Sequence, residues 1–290
     1  MAIWNLGSIN ADMVYDVPHL PGAGETLAAD GLSRFLGGKG ANMSVAAARA
    51  GARVAHIGAV GPDGRWALDR LTEYGIDTLF IAEVEVPTGH AIIAVDKAGE
   101  NNIILFQGAN HAISNAQLGQ ALSVAEAGDV LVMQNETNAQ LEAAKMGRDL
   151  GLTVCYAAAP FDADAVQAVL PMLDFLILNQ VEADQLQAAT GLTVSDLPVE
   201  HVVVTLGSKG ARYVQKDHEP VDFAAHKVQA VDTTGAGDTF TGYVLAGMDR
   251  GMPMEQAIQQ ANRAAALMVT RHGTADVIPD LKEVREARFD

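Results

Sequence analysis

The sequence predicts an α/β fold: a mostly parallel sheet with helices on both faces. Six short apolar runs recur along the chain, and longer segments with helical spacing lie between them. Several of those segments close on a glycine. Strand–helix alternation of this kind implies parallel neighbours joined by crossover helices. A chain of 290 residues with 49% hydrophobic content can bury a substantial core. That length suits one large domain with a small appendage, or two modest domains. No internal repeat or low-complexity tract marks a boundary.

The elements follow in order. IWNLG (3–7) reads as the first buried strand, and ANMSVAAARAG (41–51) as a helix ending at Gly51. RVAHIGAVG (53–61) is the next strand and WALDRLTEYG (66–75) the next helix. DVLVMQ (129–134), LTVCYA (152–157), DFLILN (174–179) and HVVVTLG (201–207) continue the strands, with helical patterns at 138–151 and 181–191. Two long helical patterns, 236–250 and 254–271, close the chain.

Two regions break this alternation. Residues 11–36 carry MVYDV, Pro18, Pro21 and three glycines. Residues 86–108 read as a hairpin turning at Asp96–Glu100. Both look like antiparallel strands inserted into a parallel-sheet protein, forming a small sheet over one end. Ligands of open α/β sheets lie at the carboxyl ends of the strands, so a lid belongs there.

Composition excludes some partners. The formal charge is −17, from 19 Lys+Arg against 36 Asp+Glu. Nucleic acid and anionic membrane are poor partners for such a surface. A phosphate ligand would have to be held by backbone N–H groups and a metal ion. The single cysteine, Cys155, rules out an internal disulfide and a multi-thiolate zinc site, and its apolar run makes it core. The N-terminus lacks the pattern of a signal peptide, and no apolar run is long enough for a membrane helix. The expectation is a soluble, cytoplasmic protein.

Five stretches could carry chemistry. FLGGKGAN (35–42) is not a P-loop, because Gly40 follows Lys39. It is either a helix-capping turn or a close backbone approach with Lys39 and Asn42 as donors. In SINAD (8–12), Asn10 and Asp12 alternate and could face one ligand, where a carboxylate grips sugar hydroxyls; a plain turn is the alternative. NQVE (179–182) reads as a helix start and TLGSKG (205–210) as a tight hairpin turn. VDTTGAGDTFTG (231–242) is the most telling. A helix beginning near Ala236 leaves its first N–H groups free. Gly235, Ala236 and Gly237 give them room to surround an anion. Asp238, about one turn in, suits a base that deprotonates a hydroxyl attacking a phosphate. One acidic residue on a helix dipole would be commonplace, but it leaves the small residues before it unexplained.

GGKGAN, NxxE and DTTGAGD, in this order and spacing, resemble the ribokinase family of PfkB-type sugar kinases over residues 3–279. The resemblance implies a Rossmann-like three-layer sandwich with a β-sheet lid, in one kinase domain with the lid built from 11–36 and 86–108. It implies a homodimer through two lids. Asp238 would be the base, with Gly235, Ala236 and Gly237 as anion hole. Asn10, Asp12, Gly38, Lys39, Asn42 and Glu136 would hold the sugar. Asn179, Thr205, Gly207, Ser208, Gly210 and Asn262 would line the ATP site. Glu182 would order Mg2+ through water, and Asp232, Thr234, Val269, His272 and Gly273 would surround an activating K+. Three positions depart from the family pattern: Tyr156 in place of an asparagine, Val277 in place of a hydroxyl cation ligand, and His90 at an apolar lid position. The function implied is transfer of the ATP γ-phosphate to a pentose, with ribose as the leading acceptor. Another sugar or a nucleoside is the alternative acceptor. A non-catalytic sugar- or nucleotide-binding regulator is the rival class, against which the intact Asp238 and Gly235–Gly237 argue.

Overall fold

A computed structural model describes residues 1–289. The chain runs β1 Ile3–Leu6, β2 Asn10–Asp16, β3 Gly31–Gly37, α1 Lys39–Arg49, β4 Val54–Val60, α2 Arg65–Glu73, β5 Ile81–Glu83, β6 Gly89–Val95 and β7 Asn101–Phe106. It continues with α3 Asn115–Leu122, β8 Val130–Gln134, α4 Gln140–Asp149, β9 Thr153–Ala157, α5 Ala163–Val169, β10 Phe175–Asn179 and α6 Gln180–Thr190. Last come β11 His201–Thr205, β12 Ala211–Gln215, β13 Val221–Phe223, α7 Ala236–Asp249, α8 Met254–Met268 and α9 Leu281–Glu286.

Nine strands form the central sheet in the order β13-β12-β11-β10-β9-β8-β1-β4-β5. All neighbours are parallel except β11–β12 and β12–β13. Alternate residues of each strand point to opposite faces, and each face has its own core. Val132, Cys155, Phe175 and Ile177 pack on the face covered by α1, α7 and α8. Leu131, Met133, Tyr156 and Leu176 pack on the face covered by α3 to α6. The result is the expected three-layer sandwich. Cys155 is fully buried, and burial pushes its thiol well above the ordinary value. The helices ending at Gly51, Gly75, Gly151 and Gly191 each close on a left-handed glycine, with φ of 91°, 81°, 71° and 75°.

The chain leaves β1 toward β4 on one side and later returns to β8 on the other. That reversal makes the carboxyl ends of β1 and β8 the switch point of the sheet, where a crevice opens. A second sheet of four strands, β3-β2-β6-β7, is built from the two segments that break the alternation. One expectation needs correction. The two hairpins meet through β2 and β6, which are parallel, so the small sheet is mixed rather than antiparallel. The hairpins come from distant parts of the chain, and no local turn dictates their relative direction. α8 also stops at Met268, leaving 269–273 as a turn. β5, α3, α5 and α9 have no counterpart in the pattern reading.

Candidate active site

The switch point brings together residues that are far apart in the chain. β1 ends at Leu6, and α1 begins at Lys39 directly against it. A Cβ on Gly40 would lie 2.4 Å from the Gly7 Cα, so only glycine permits this crossing. Polar side chains fasten it from below. Asn5 Nδ2 donates to Gly40 O and to Ser44 Oγ, both at 2.8 Å. Ser44 Oγ also meets His56 Nδ1 at 2.9 Å, and the other ring nitrogen reaches Gly7 O at 3.0 Å. Burial lowers the His56 pKa to about 4, so the ring is neutral and joins the chain of bonds without charge.

Above this crossing lies an acidic cradle. Ser8 Oγ donates to Glu136 Oε2 at 2.5 Å, and the Lys39 N–H donates to the same oxygen at 3.0 Å. Asn10 and Asp12 occupy one face of β2, as their alternation implied. Asn110 Nδ2 donates to Asn10 Oδ1 at 2.7 Å and fixes its orientation. Burial first, then the neighbouring Glu136 and Asp238, push the Asp12 carboxyl up to about 7. Asp238 itself sits in the first turn of α7, 7% exposed. Asn42 Nδ2 donates to its Oδ2 at 2.9 Å. Asn42 Oδ1 is buried with no partner among the described residues. Buried polar atoms are normally paired, so this oxygen is an acceptor left available to a donor from outside the chain. Lys39 supplies the countercharge: the carboxylates of Asp238, Glu136 and Glu182 outweigh its burial and hold it strongly protonated.

Beside Asp238 the chain turns sharply. Gly235 caps α7 in the left-handed region at φ 74°, and no side chain caps the helix. The Ala236 N–H is turned to Thr233 O at 3.2 Å. The Gly235, Gly237 and Asp238 N–H groups make no hydrogen bond among the described residues. The unpaired N–H groups of this turn are therefore those of Gly235, Gly237 and Asp238, while that of Ala236, which the sequence also offered, is engaged. A pocket of about 240 Å³ holds Lys39, Asn179, Glu182, Gly235, Gly237 and Asp238 together. An adjoining pocket of about 470 Å³ contains Thr205, Gly207, Ser208, Gly210 and Asn262, and shares Thr205, Thr233 and Gly237 with the first. The residues expected from the sequence to hold sugar and those expected to line the ATP site thus come together around the Gly235 turn. His226 and Lys227 add to the wall of the larger pocket, with His226 stacked on Phe289 at 4.3 Å.

Asn179 and Glu182 form a reciprocal helix cap. The Glu182 N–H donates to Asn179 Oδ1 at 2.9 Å, and the Asn179 N–H donates to Glu182 Oε2 at 2.7 Å. NQVE is therefore a helix start and a pocket wall at once. TLGSKG is likewise both the β11–β12 hairpin turn and a pocket wall. Asp232, Thr234, Val269 and Gly273 lie in two touching turns behind Gly235. Burial raises the Asp232 carboxyl, but the Thr234 and Gly273 N–H groups and nearby His272 outweigh it and hold it below the ordinary value.

Two departures turn out to lie away from the cradle. The Tyr156 hydroxyl donates to Gln140 Oε1 at 2.9 Å inside the core of the other face. The small side chains of Ala157, Ala158 and Ala159 line the pocket instead. His90 pairs with Ala11 in the register and Asp12 with Ala91, so His90 faces away from Asp12 and packs on Phe106. Asn110, Asn5, Ser44 and His56 escaped the motif reading. For Asn5 and His56 the available signal was a polar residue inside a buried strand, IWNL and VAHIGAV, which demands a partner; Asn110 and Ser44 carried no such signal.

The pattern described as pfkB family carbohydrate kinase matches residues 3–281. A ribokinase of Haemophilus influenzae is 36% identical over 300 residues, covering 97% of this chain and 96% of that protein. A deoxyribokinase of Salmonella typhi is 31% identical, covering 99% and 98%. The solved structure of Arabidopsis thaliana ribokinase complexed with ribose and ATP superposes with a TM-score of 0.86 at 28% identity, covering 99% of this chain and 98% of that one. A match across nearly the whole chain, at the level of sequence and of fold, means that this protein belongs to the pfkB family of carbohydrate kinases.

Proposed function

We propose that this kinase transfers the γ-phosphoryl group of ATP to the primary hydroxyl of D-ribose, giving ribose 5-phosphate. One observation carries the reading. Asp238 stands where a cradle of buried acceptors meets a turn of unpaired N–H groups, with the nucleotide-side pocket adjoining. Asn10, Asp12, Asn42 and Glu136 offer acceptors suited to several sugar hydroxyls, with Gly38 and Lys39 closing the cradle. Asp238 takes the proton from the attacking hydroxyl. The Gly235 and Gly237 N–H groups, with Lys39, stabilise charge on the phosphoryl oxygens as it passes. Thr205, Gly207, Ser208, Gly210 and Asn262 hold the nucleotide, with Asn179 beside its phosphates.

The donor set fits Mg2+. Glu182 and Asp238 face the same small pocket, and no group of three or more acidic, histidine or cysteine residues forms a protein-only cage among the described residues. Mg2+ commonly takes one or two carboxylates, water and substrate phosphates, and it would supply charge neutralisation there. The residues for a monovalent cation fit poorly: Val277 offers no side-chain oxygen, and the oxygens of Asp232 and Val269 already accept N–H donors.

The small sheet supports two further readings. It overhangs the cradle through Asn10 and Asp12 and would act as a lid. Its outer strand β7 exposes Ile103, Ile104, Leu105 and Phe106 on an open edge, which favours a second copy of the chain as partner. An ATP-consuming sugar kinase also suits the cytoplasm.

The test is ADP release from ATP with a panel of pentoses, hexoses and nucleosides, run on the native enzyme and on Asp238→Asn. Ribose should give the highest kcat/KM. Asp238→Asn should lose about 100- to 10,000-fold in kcat while still binding sugar. Normal turnover by the variant would reduce Asp238 to a helix residue. A higher kcat/KM for deoxyribose or a nucleoside would transfer the assignment to that acceptor.

A further inference from the structure

We infer that this chain holds its anion turn by direct hydrogen bonds and arginine side chains, and works without a monovalent cation. The inference concerns the two turns behind Gly235, residues 231–235 and 269–279. They are already joined. The Val231 and Asp232 N–H groups both donate to Val269 O, at 2.7 and 3.1 Å. Asp232 bridges the rest: Oδ1 accepts the Thr234 N–H at 2.9 Å and Oδ2 accepts the Gly273 N–H at 3.1 Å. The Val269 carbonyl and both Asp232 carboxylate oxygens, three of the oxygens a cation there would draw on, are thus each already engaged by an N–H donor. A hard cation needs several oxygens converging on one point. The isopropyl group of Val277 removes another, and lies 3.5 Å from where a Gly273 Cβ would be.

Fixed positive charge surrounds the second turn. Arg271 Nη1 donates to Val277 O at 3.1 Å, and its Nη2 pairs with Glu283 at 2.7 Å. Arg49 donates to Ile278 O, and Arg70 and the Tyr74 hydroxyl donate to Asp276. Thr274 Oγ1 ties the same stretch to Leu36 O at 2.9 Å. Three guanidinium groups thus bind the 271–283 stretch from three directions. A guanidinium is planar, permanently charged and presents several donors, so the three together restrain the stretch that follows Gly273, whose N–H meets Asp232. The restraint reaches the active site through Asp232, whose turn leads directly into Gly235 at φ 74°.

The turnover half of the test rests on the kinase reading, and the stability half does not. Native protein is placed in potassium chloride or choline chloride at equal ionic strength. Tm is recorded without substrate, and ADP release is recorded with ribose and Mg·ATP. An ion bound only by the folded chain raises Tm with its concentration. The expected result is equal Tm in both salts and turnover within about twofold. A saturable, potassium-specific rise in either quantity overturns the inference. Absence of turnover in both salts would refute the ribose assignment, and the Tm comparison would still decide this one. Arg271→Ala probes the latch: kcat should fall roughly tenfold with sugar KM unchanged, and Arg271→Lys should recover part of the loss. Unchanged kcat in Arg271→Ala would show that the arginine does not support the turn. If Arg271→Ala does not fold, the native salt comparison stands alone as the deciding result.

Discussion

Asp12→Asn should make the protein more stable while weakening its hold on sugar, and the stability gain should depend on pH in a calculable way. Burial, with Glu136 and Asp238 nearby, raises the Asp12 carboxyl from 3.8 to about 7. The folded state therefore holds this proton more tightly than the unfolded chain does. Stability from this group is fully present below pH ~4 and is lost as pH rises toward ~7. A shift of about three units corresponds to ~4 kcal/mol, at 1.36 kcal/mol per unit. Of this, about 2.5 kcal/mol falls between pH ~5 and ~8. Asparagine has no such proton, so the variant's advantage over the native protein should widen by that amount across the interval. Urea unfolding of both proteins at several pH values, without substrate, measures the gap; Tm should separate by roughly 5 °C over the same range. A gap that is flat or narrows as pH rises would refute the reasoning, because it would mean that Asp12 stays ionised in the fold at no cost. Sugar affinity is the counterpart measurement. The ionised carboxylate is an acceptor for hydroxyls, and losing it should weaken sugar binding about 10- to 150-fold while the ATP constant stays put.

The remaining expectations are narrower. Gly40→Ala would drive a methyl group to 2.4 Å from the Gly7 Cα, so unfolding free energy should fall by about 1–3 kcal/mol or more; a native-like denaturation curve would show that the crossing can relax. Glu182→Gln can keep the reciprocal cap with Asn179 while discarding the charge. Its Tm should match the native value, and the Mg2+ concentration for half-maximal rate should rise about tenfold; an unchanged Mg2+ requirement would leave Glu182 as a cap alone.

The central sheet was legible because its strands are fully buried and read as unbroken apolar runs, as in VLVMQ of β8 and FLILN of β10. β5, with three residues, is too short to show a period. α5, with seven, is little longer, and its ADAVQAV carries only a weak apolar face. The parallel pairing of β2 with β6 was illegible for another reason: it joins segments about eighty residues apart, and nothing local sets its direction. In the candidate site, motif residues such as Asp238 and Lys39 stood out by composition. Asn110 and His56 did not, because each acts through partners visible only in three dimensions, Asn10 Oδ1 and the Ile9 N–H for the first and Ser44 Oγ and Gly7 O for the second. The engagement of Ala236 with Thr233 O was equally hidden, since a helix start seen in sequence offers all its early N–H groups alike.

The bond from Asn42 to Asp238 joins residues 196 positions apart, and this has a consequence for synthesis. The sugar cradle and the whole central sheet lie in the part of the chain made first, while the base and the anion turn come near the end. At ~5–20 residues per second, the last fifty or so residues follow the rest by roughly 3–10 s. During that interval the sheet face destined for α7 and α8 has no cover, and Phe175, Ile177 and Val203 stay wet. The nascent chain therefore passes through a stage that can hold its folded strands before the proposed base is in place, with part of one apolar sheet face still exposed.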